Sequence, residues 1–247
     1  MPEATPPCLF PSTRWTLLKC LRGESAEEAR AALDTLCRAY WQPLYCVARQ
    51  KGLSRHDAQD AVQGFFECLI RRETFATADE AAGKLRQLLL AAFDNFCGQQ
   101  WQKANRQKRG AGALHVELGE ALDCDSAEKK FLRSNSATAS MEVLYNREWA
   151  NAVLERSLNA LRADYERRGW QQRYEMLVGP LLQSEDATSL EQLAASHGVT
   201  SGSLRVTLHR MRGHYRDQIE RELSATLDSD DPAIIRQEMA ELFKAFA

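Results

Sequence analysis

The chain has no run of about 18 apolar residues, so no segment of it is expected to span a membrane as a helix. It opens Met-Pro-Glu-Ala-Thr-Pro-Pro, with neither a basic nor an apolar stretch, and no secretory leader is expected. Its seven cysteines, Cys8, Cys20, Cys37, Cys46, Cys68, Cys97 and Cys124, include no pair in C-x-x-C spacing. That excludes a redox pair or zinc knuckle of the usual kind and predicts buried free thiols in a reducing cytoplasm. Phosphate-cradling, nucleophile-elbow and metalloprotease motifs are absent. The five histidines, His56, His115, His197, His209 and His214, fall in no metal-ligand spacing. The expectation is a protein without cofactor, metal or small-molecule substrate, and not an enzyme. Alternating apolar and polar runs bounded by turn residues are lacking too, which leaves an all-α fold.

What is present is an ordinary globular composition, 44% hydrophobic and 27% charged, over a length sufficient for two small cores. The formal net charge of −2 conceals an uneven distribution. Between Asn95 and Val116 there is no acid, while Lys103, Arg106, Lys108 and Arg109 are cationic. Between Thr200 and Arg216 there is again none, while Arg205, Arg210, Arg212 and Arg216 are cationic. Two basic islands stand on an acidic body, a pattern suited to a protein that meets DNA at two places and another partner elsewhere.

Helical periodicity organises most of the chain. A short helix is expected from Ser12 to Leu21, and a second from Ser25, carrying Ala29, Leu33, Leu36 and Tyr40 inward and breaking before Pro43. Leu44 to Gln50 reads as a separate stretch ending at Gly52. Ser54 caps a helix with Ala58, Val62, Phe65, Phe66 and Leu69 inward. After a loop from Thr74 to Gly83 comes a helix from about Lys84 to Lys103. Residues 111–139 have little periodicity and read as a linker, either a mobile tether or an ordered loop. Helices resume from Met141 to Arg168 and from Gln171 to Leu182. The acidic break Asp228-Ser229-Asp230-Asp231-Pro232 precedes an amphipathic C-terminal helix, expected to fold back on the linker or on the domain before it.

The strongest constellation is Leu190 to Tyr215: a short helix, a turn holding Gly198, and a second helix capped by Ser201, the outline of a helix-turn-helix. On the second helix Leu204, Leu208, Met211 and Tyr215 form a stripe that docks inward. Arg205, His209, Arg212 and Arg216 run beside it, displaced by one residue. Arginine on such a face can grip guanine or phosphate with two donors, and Ser201 and Ser203 lie at the end that approaches base edges. A solvated basic face on a structural hairpin is the alternative. In Phe93 to Arg109, Phe93, Phe96 and Trp101 accompany the first basic island, suiting unpaired DNA, or else belong to a core. Asp57, Asp60, Gln63 and Glu67 form a polar and acidic stripe that is either solvated or a docking surface for a basic partner.

These strings resemble a family. YWQPLYCVARQKGLSRHDAQDAVQGFFECL, Tyr40 to Leu69, resembles the region-two domain of bacterial RNA polymerase sigma factors of the extracytoplasmic-function group. Leu88 to Arg109 resembles the helix that opens the −10 element there. GVTSGSLRVTLHRMRGHYR, Gly198 to Arg216, is similar to the region-four helix-turn-helix that reads the −35 element. Gln99, Gln100 and Gln102 stand where the family carries more charge. The resemblance implies an N-terminal extension at 1–11, a region-two domain at 12–110, a linker at 111–139, a region-four domain at 140–223 and a tail at 224–247. It implies core RNA polymerase and promoter DNA as partners, with an anti-sigma factor or another regulator besides, in the cytoplasm. Asp57, Asp60, Gln63 and Glu67 would meet polymerase. Phe75, Asn95, Trp101, Lys103, Arg106, Lys108 and Arg109 would meet the −10 element. Ser201, Ser203, Arg205, Val206, His209, Arg210, Arg212 and Arg216 would meet the −35 element. A helix-turn-helix regulator that acts without polymerase, and a purely protein-binding adaptor, are the other readings of the same residues.

Overall fold

A computed structural model describes residues 26–71, 85–106, 124–133, 140–183, 187–227 and 231–246. Among them it has nine α-helices and no strand: α1 Ala26–Gln50, α2 Arg55–Arg71, α3 Leu85–Arg106, α4 Cys124–Arg133, α5 Met141–Arg167, α6 Gln171–Leu182, α7 Ala187–Ser196, α8 Ser201–Leu227 and α9 Pro232–Lys244. None is long and apolar enough to cross a membrane. The expected helix from Ser12 to Leu21 and the loop from Thr74 to Gly83 lie outside the described residues.

The chain divides into two compact units, one of residues 1–152 and 224–247, the other of 153–223. The divide falls inside α5 instead of at 139/140. The first turns of α5 are apolar on the side that the first unit buries, with Leu144, Tyr145, Trp149 and Ala150 all inside. The C-terminal segment also belongs to the first unit and not to the unit that holds the helix-turn-helix, and Glu238 pairs there with the buried Arg86.

In the first unit α1 runs straight through Pro43, where the sequence predicts a break. Proline inside a helix removes one hydrogen bond and costs about 3 kcal/mol. The burial it must outweigh is large: Leu36, Ala39, Tyr40, Leu44, Tyr45, Val47 and Ala48 are all buried, on both sides of the proline. A continuous apolar face therefore overrides the local breaker. α1 ends where Gly52, at φ 88°, lets its N–H reach Arg49 and that of Leu53 reach Ala48, the paired bonds of a left-handed cap. Opposite α1 lie Phe65, Phe66 and Leu69 of α2 and Leu85, Leu89 and Phe93 of α3. Phe65 meets Phe93 edge-on at 5.2 Å and Phe96 at 5.8 Å, the favoured geometry for aromatic pairs. Cys37 and Cys46 are buried free thiols, with Cys68 and Cys97 half-buried; burial pushes Cys37 up to about 12.

Residues 124–133, inside the expected linker, form α4 and are pinned to α1. Arg49 donates from Nε and Nη2 to the two oxygens of Glu128 at 3.0 and 2.9 Å. Tyr45 donates its hydroxyl to the same carboxylate, and Arg49 lies over the Phe131 ring at 5.2 Å. Arg55 pairs with Asp125, and Lys130 donates to Gln42, which in turn donates to the buried Glu148. Two-point arginine–carboxylate pairing is strong and directional, so this part of the linker is ordered by side-chain chemistry that helical periodicity does not register.

A pH dependence follows. The hydrogen bonds from Arg49 hold Glu128 below the usual carboxylate range. A depressed folded-state value means that the stabilisation is present above the ordinary glutamate pKa and is lost as pH falls through the lowered one. Hydrogen exchange of α4 is therefore expected to be slow near neutrality and to quicken, after correction for the intrinsic rate, below about pH 4. Glu128→Gln should expose α4 already at neutral pH and flatten that dependence. A Glu128→Gln protein with wild-type protection in α4 would show that apolar contact, not the ion pair, seats the helix.

The second unit packs the end of α5, α6, α7 and α8 around Leu161, Tyr165, Tyr174, Leu177, Ala194, Leu204, Leu208 and Met211. Tyr215 of α8 donates its hydroxyl to the Leu154 carbonyl at 3.0 Å, and Arg156 pairs with Glu222 at 2.9 Å. These bonds fix α8 along α5, leaving the N-terminal half of α8 to α7 and the turn before it.

Candidate nucleic-acid interface

The turn between α7 and α8 is built by His197-Gly198-Val199-Thr200. Gly198 has φ 64°, a left-handed conformation that other residues adopt at a cost of roughly 1–2 kcal/mol. That conformation lets Gly198 N–H bond Ala195 and Val199 N–H bond Ala194, satisfying the last carbonyls of α7. The chain reverses within a few residues, and α8 begins. Its cap is Thr200 and not Ser201: Thr200 Oγ1 accepts from Ser203 N–H at 3.2 Å, while the Thr200 carbonyl takes the first helical bond, from Leu204. Ser201 is consequently already in the first turn, where its side chain is not occupied in capping.

The inward stripe on α8 forms as its spacing predicts. Leu204, Leu208 and Met211 are buried and Tyr215 is half-buried. The opposite arc carries the polar side chains. Ser203, Arg205, Val206, His209, Arg210, Arg212 and Arg216 are exposed, and Ser201 is half-exposed. Two glycines, Gly202 and Gly213, lie on this outward arc with open space around them. Val206, 52% exposed, projects between the two polar edges, an apolar group able to meet a thymine methyl. The face thus has no bulky side chain along its midline, flexible cations along one flank, and Arg210 and Ser203 along the other.

The arginines are not equivalent. Arg205 reaches back to Glu191 of α7 at 3.7 Å, with both side chains more than half exposed. A pair that open to water contributes little, so it biases the direction of Arg205 without holding it. Arg212 makes one long contact, 3.5 Å to the Pro180 carbonyl. Glu191 is a residue that the pattern of α8 alone could not single out, since it sits on the neighbouring helix.

The residues expected near a −10 element are brought together only in part. Asn95 is exposed on α3. Phe93 is buried and Phe96 half-buried against Phe65, so both belong to the core and not to a stacking platform. Trp101, Lys103 and Arg106 lie in the last turns of α3. Phe75, Lys108 and Arg109 fall outside the described residues.

The acidic stripe on α2 is modified by its own chemistry. Asp57 is the reciprocal partner of Ser54: the serine hydroxyl donates to its carboxylate at 2.6 Å, and Asp57 N–H donates to the serine oxygen at 3.2 Å. Ser54 thus caps the start of α2, and its hydroxyl is held by the Asp57 carboxylate. Asp60 is exposed, 3.5 Å from His56. Gln63 and Glu67 are half-buried and hydrogen-bonded to one another at 3.4 Å. Asp57 and Asp60 are thus the two exposed acids of the four. Among the described residues no cluster of three histidine, cysteine or acidic side chains could hold a metal ion. No family profile, no curated protein and no solved structure matches this chain.

Proposed function

We propose that the chain is a sigma-type transcription initiation factor, acting by binding and not by covalent chemistry. In this reading its second unit reads promoter DNA through α8, and its first unit engages core RNA polymerase and melted DNA. One observation carries it: the exposed, acid-free arc of α8 from Ser201 to Arg216, presented by a tightly capped turn on a helix whose other side is buried. Such a helix can enter a major groove, with cations at its edges for phosphates and short side chains at its centre for base edges. The acidic α2 face, the basic end of α3 and the resemblance of both strings to region two extend the reading to polymerase and the −10 element. A factor of this kind works in the cytoplasm, beside the polymerase.

The test is run-off transcription by purified core polymerase, with and without the protein, on a promoter library. Enrichment of promoters sharing one upstream and one downstream element is the expected result. A library transcribed no better with the protein than without it overturns the reading.

The Ser54–Asp57 hydrogen bonds engage Asp57 at the start of α2 and so favour a second reading, in which the stripe is structural and the chain is a helix-turn-helix regulator independent of polymerase. Asp60→Lys separates the two. It leaves the Ser54 cap intact and should weaken core-polymerase binding by about 1–3 kcal/mol in titrations. Unchanged binding to polymerase after that reversal, with DNA binding retained, points to the independent regulator.

A further inference from the structure

The start of α3 is fixed through one buried cation. Arg86, the second residue of α3, is 7% exposed and pairs with Glu238 of α9, which is 2% exposed. Its guanidinium lies 4.4 Å over the ring of Trp149 on α5, itself buried. Tyr40 of α1, Tyr145 of α5 and Glu241 of α9 lie near enough to act on the same charge. All of these residues belong to the first unit. The start of α9 is set locally: Asp231 accepts from Ala233 N–H at 2.8 Å, and Pro232 follows as the first helical residue.

A cation in this position is costly in two ways. The first turn of α3 contains no acid, and the positive end of the helix dipole disfavours a guanidinium there. Burial also removes the water that would solvate it. Glu238 offsets both, from the far end of the chain. Without that carboxylate, hydration of Arg86 requires the first turn of α3 to move.

Such a movement matters because of where α3 leads. Leu85, Leu89 and Phe93 are buried along its first half. The helix continues to Arg106, which at 1.5 Å per residue lies about 30 Å from Arg86. Its last turns hold Trp101, Lys103 and Arg106, the residues expected to meet the −10 element. A helix is a rigid element, so a tilt at its start is carried to its end.

We propose that Glu238 is a positioning residue for promoter opening: it seats Arg86 on Trp149 and so sets the direction in which α3 delivers its basic end to melted DNA. This rests on the reading of the first unit as the part that engages the −10 element. Three forms of the full chain test it: wild type, Glu238→Ala, and the double variant Arg86→Met with Glu238→Met, which replaces the ion pair by an apolar contact and leaves no buried charge.

Hydrogen exchange at Leu89 to Phe93, whose amides bond the carbonyls of the first turns of α3, reads the positioning. Permanganate reactivity of −10 thymines, with core polymerase on a duplex promoter found by run-off transcription, reads its consequence. A template mismatched across the −10 element is the control, since it is already open. Glu238→Ala is expected to lose protection at those amides while α1 and α2 keep theirs. Opening of the duplex promoter should fall on the order of tenfold, the scale on which small misplacements act. Transcription from the mismatched template should not change, and the double variant should match wild type in exchange and in opening.

Wild-type exchange at Leu89 to Phe93 in Glu238→Ala overturns the positioning. Lost protection with unchanged opening, or an equal fall on both templates, overturns the link to promoter opening. Should Glu238→Ala loosen α1 and α2 as well, the double variant decides: wild-type opening there supports the proposal, and defective opening with α3 protected sinks it. If the wild-type protein opens no promoter, the sigma-type reading fails and the link with it, while exchange at the start of α3 still decides the positioning.

Discussion

Leu208→Ala is expected to lower the stability of the second unit by about 2–5 kcal/mol, because a fully packed leucine leaves both its transfer energy and a cavity behind. Leu208 is 2% exposed and lies between the inward faces of α6, α7 and α8. Among the described residues, that core is built from the second unit, so the loss should be confined. Hydrogen exchange under mild urea should show protection falling across α6, α7 and the first half of α8, with α1, α2 and α3 holding. On the proposed function, transcription should then lose its dependence on the upstream element while binding to polymerase survives. Equal loss of protection in α1 would mean that the two units unfold as one cooperative body.

The second large effect concerns Arg205. It stands near the start of α8, exposed, with Glu191 as a weak partner at 3.7 Å. A guanidinium that leaves such a pair for two base acceptors loses little and gains a contact of about 1–3 kcal/mol at one base pair. On the proposed function, Arg205→Ala should therefore change which −35 variants are preferred, in assays with core polymerase on a promoter library. Lys108→Ala with Arg109→Ala should instead weaken binding on every sequence and reduce the salt slope by about one unit per charge. Glu191→Gln should leave the order of preference intact, since it frees Arg205 without removing it. If Arg205→Ala scales all variants by one factor, the arginine grips phosphate. If it changes nothing, the basic arc of α8 is a solvated surface.

The orientation of α8 was legible from spacing alone: Leu204, Leu208 and Met211 recur at helical intervals and are the residues buried. So were the bounds of α6, with Gln171 and Leu182 at its ends, and the start of α9 at Pro232. These succeed because amphipathic period and capping are local properties. Pro43 misled for the same reason: a local rule against proline yields where buried apolar side chains continue on both sides of it. Phe93 and Phe96 were open between core and DNA platform, and only the position of Phe65 decided that they are core.

By itself, then, the sequence determined the all-helical class, the inward stripes, the turn at Gly198 and the two acid-free segments, since each depends on residues within a few turns of one another. The tertiary structure decided what depends on partners far apart in the chain. Arg49 finds Glu128 and so turns part of the expected linker into a docked helix. Arg86 finds Glu238 and so places the C-terminal helix on the first unit instead of the second. Arg205 finds Glu191 across the turn. In each case a charge has many possible partners in the sequence, and only the packing of apolar helix faces, which brings some of them within reach and strips their water, selects one.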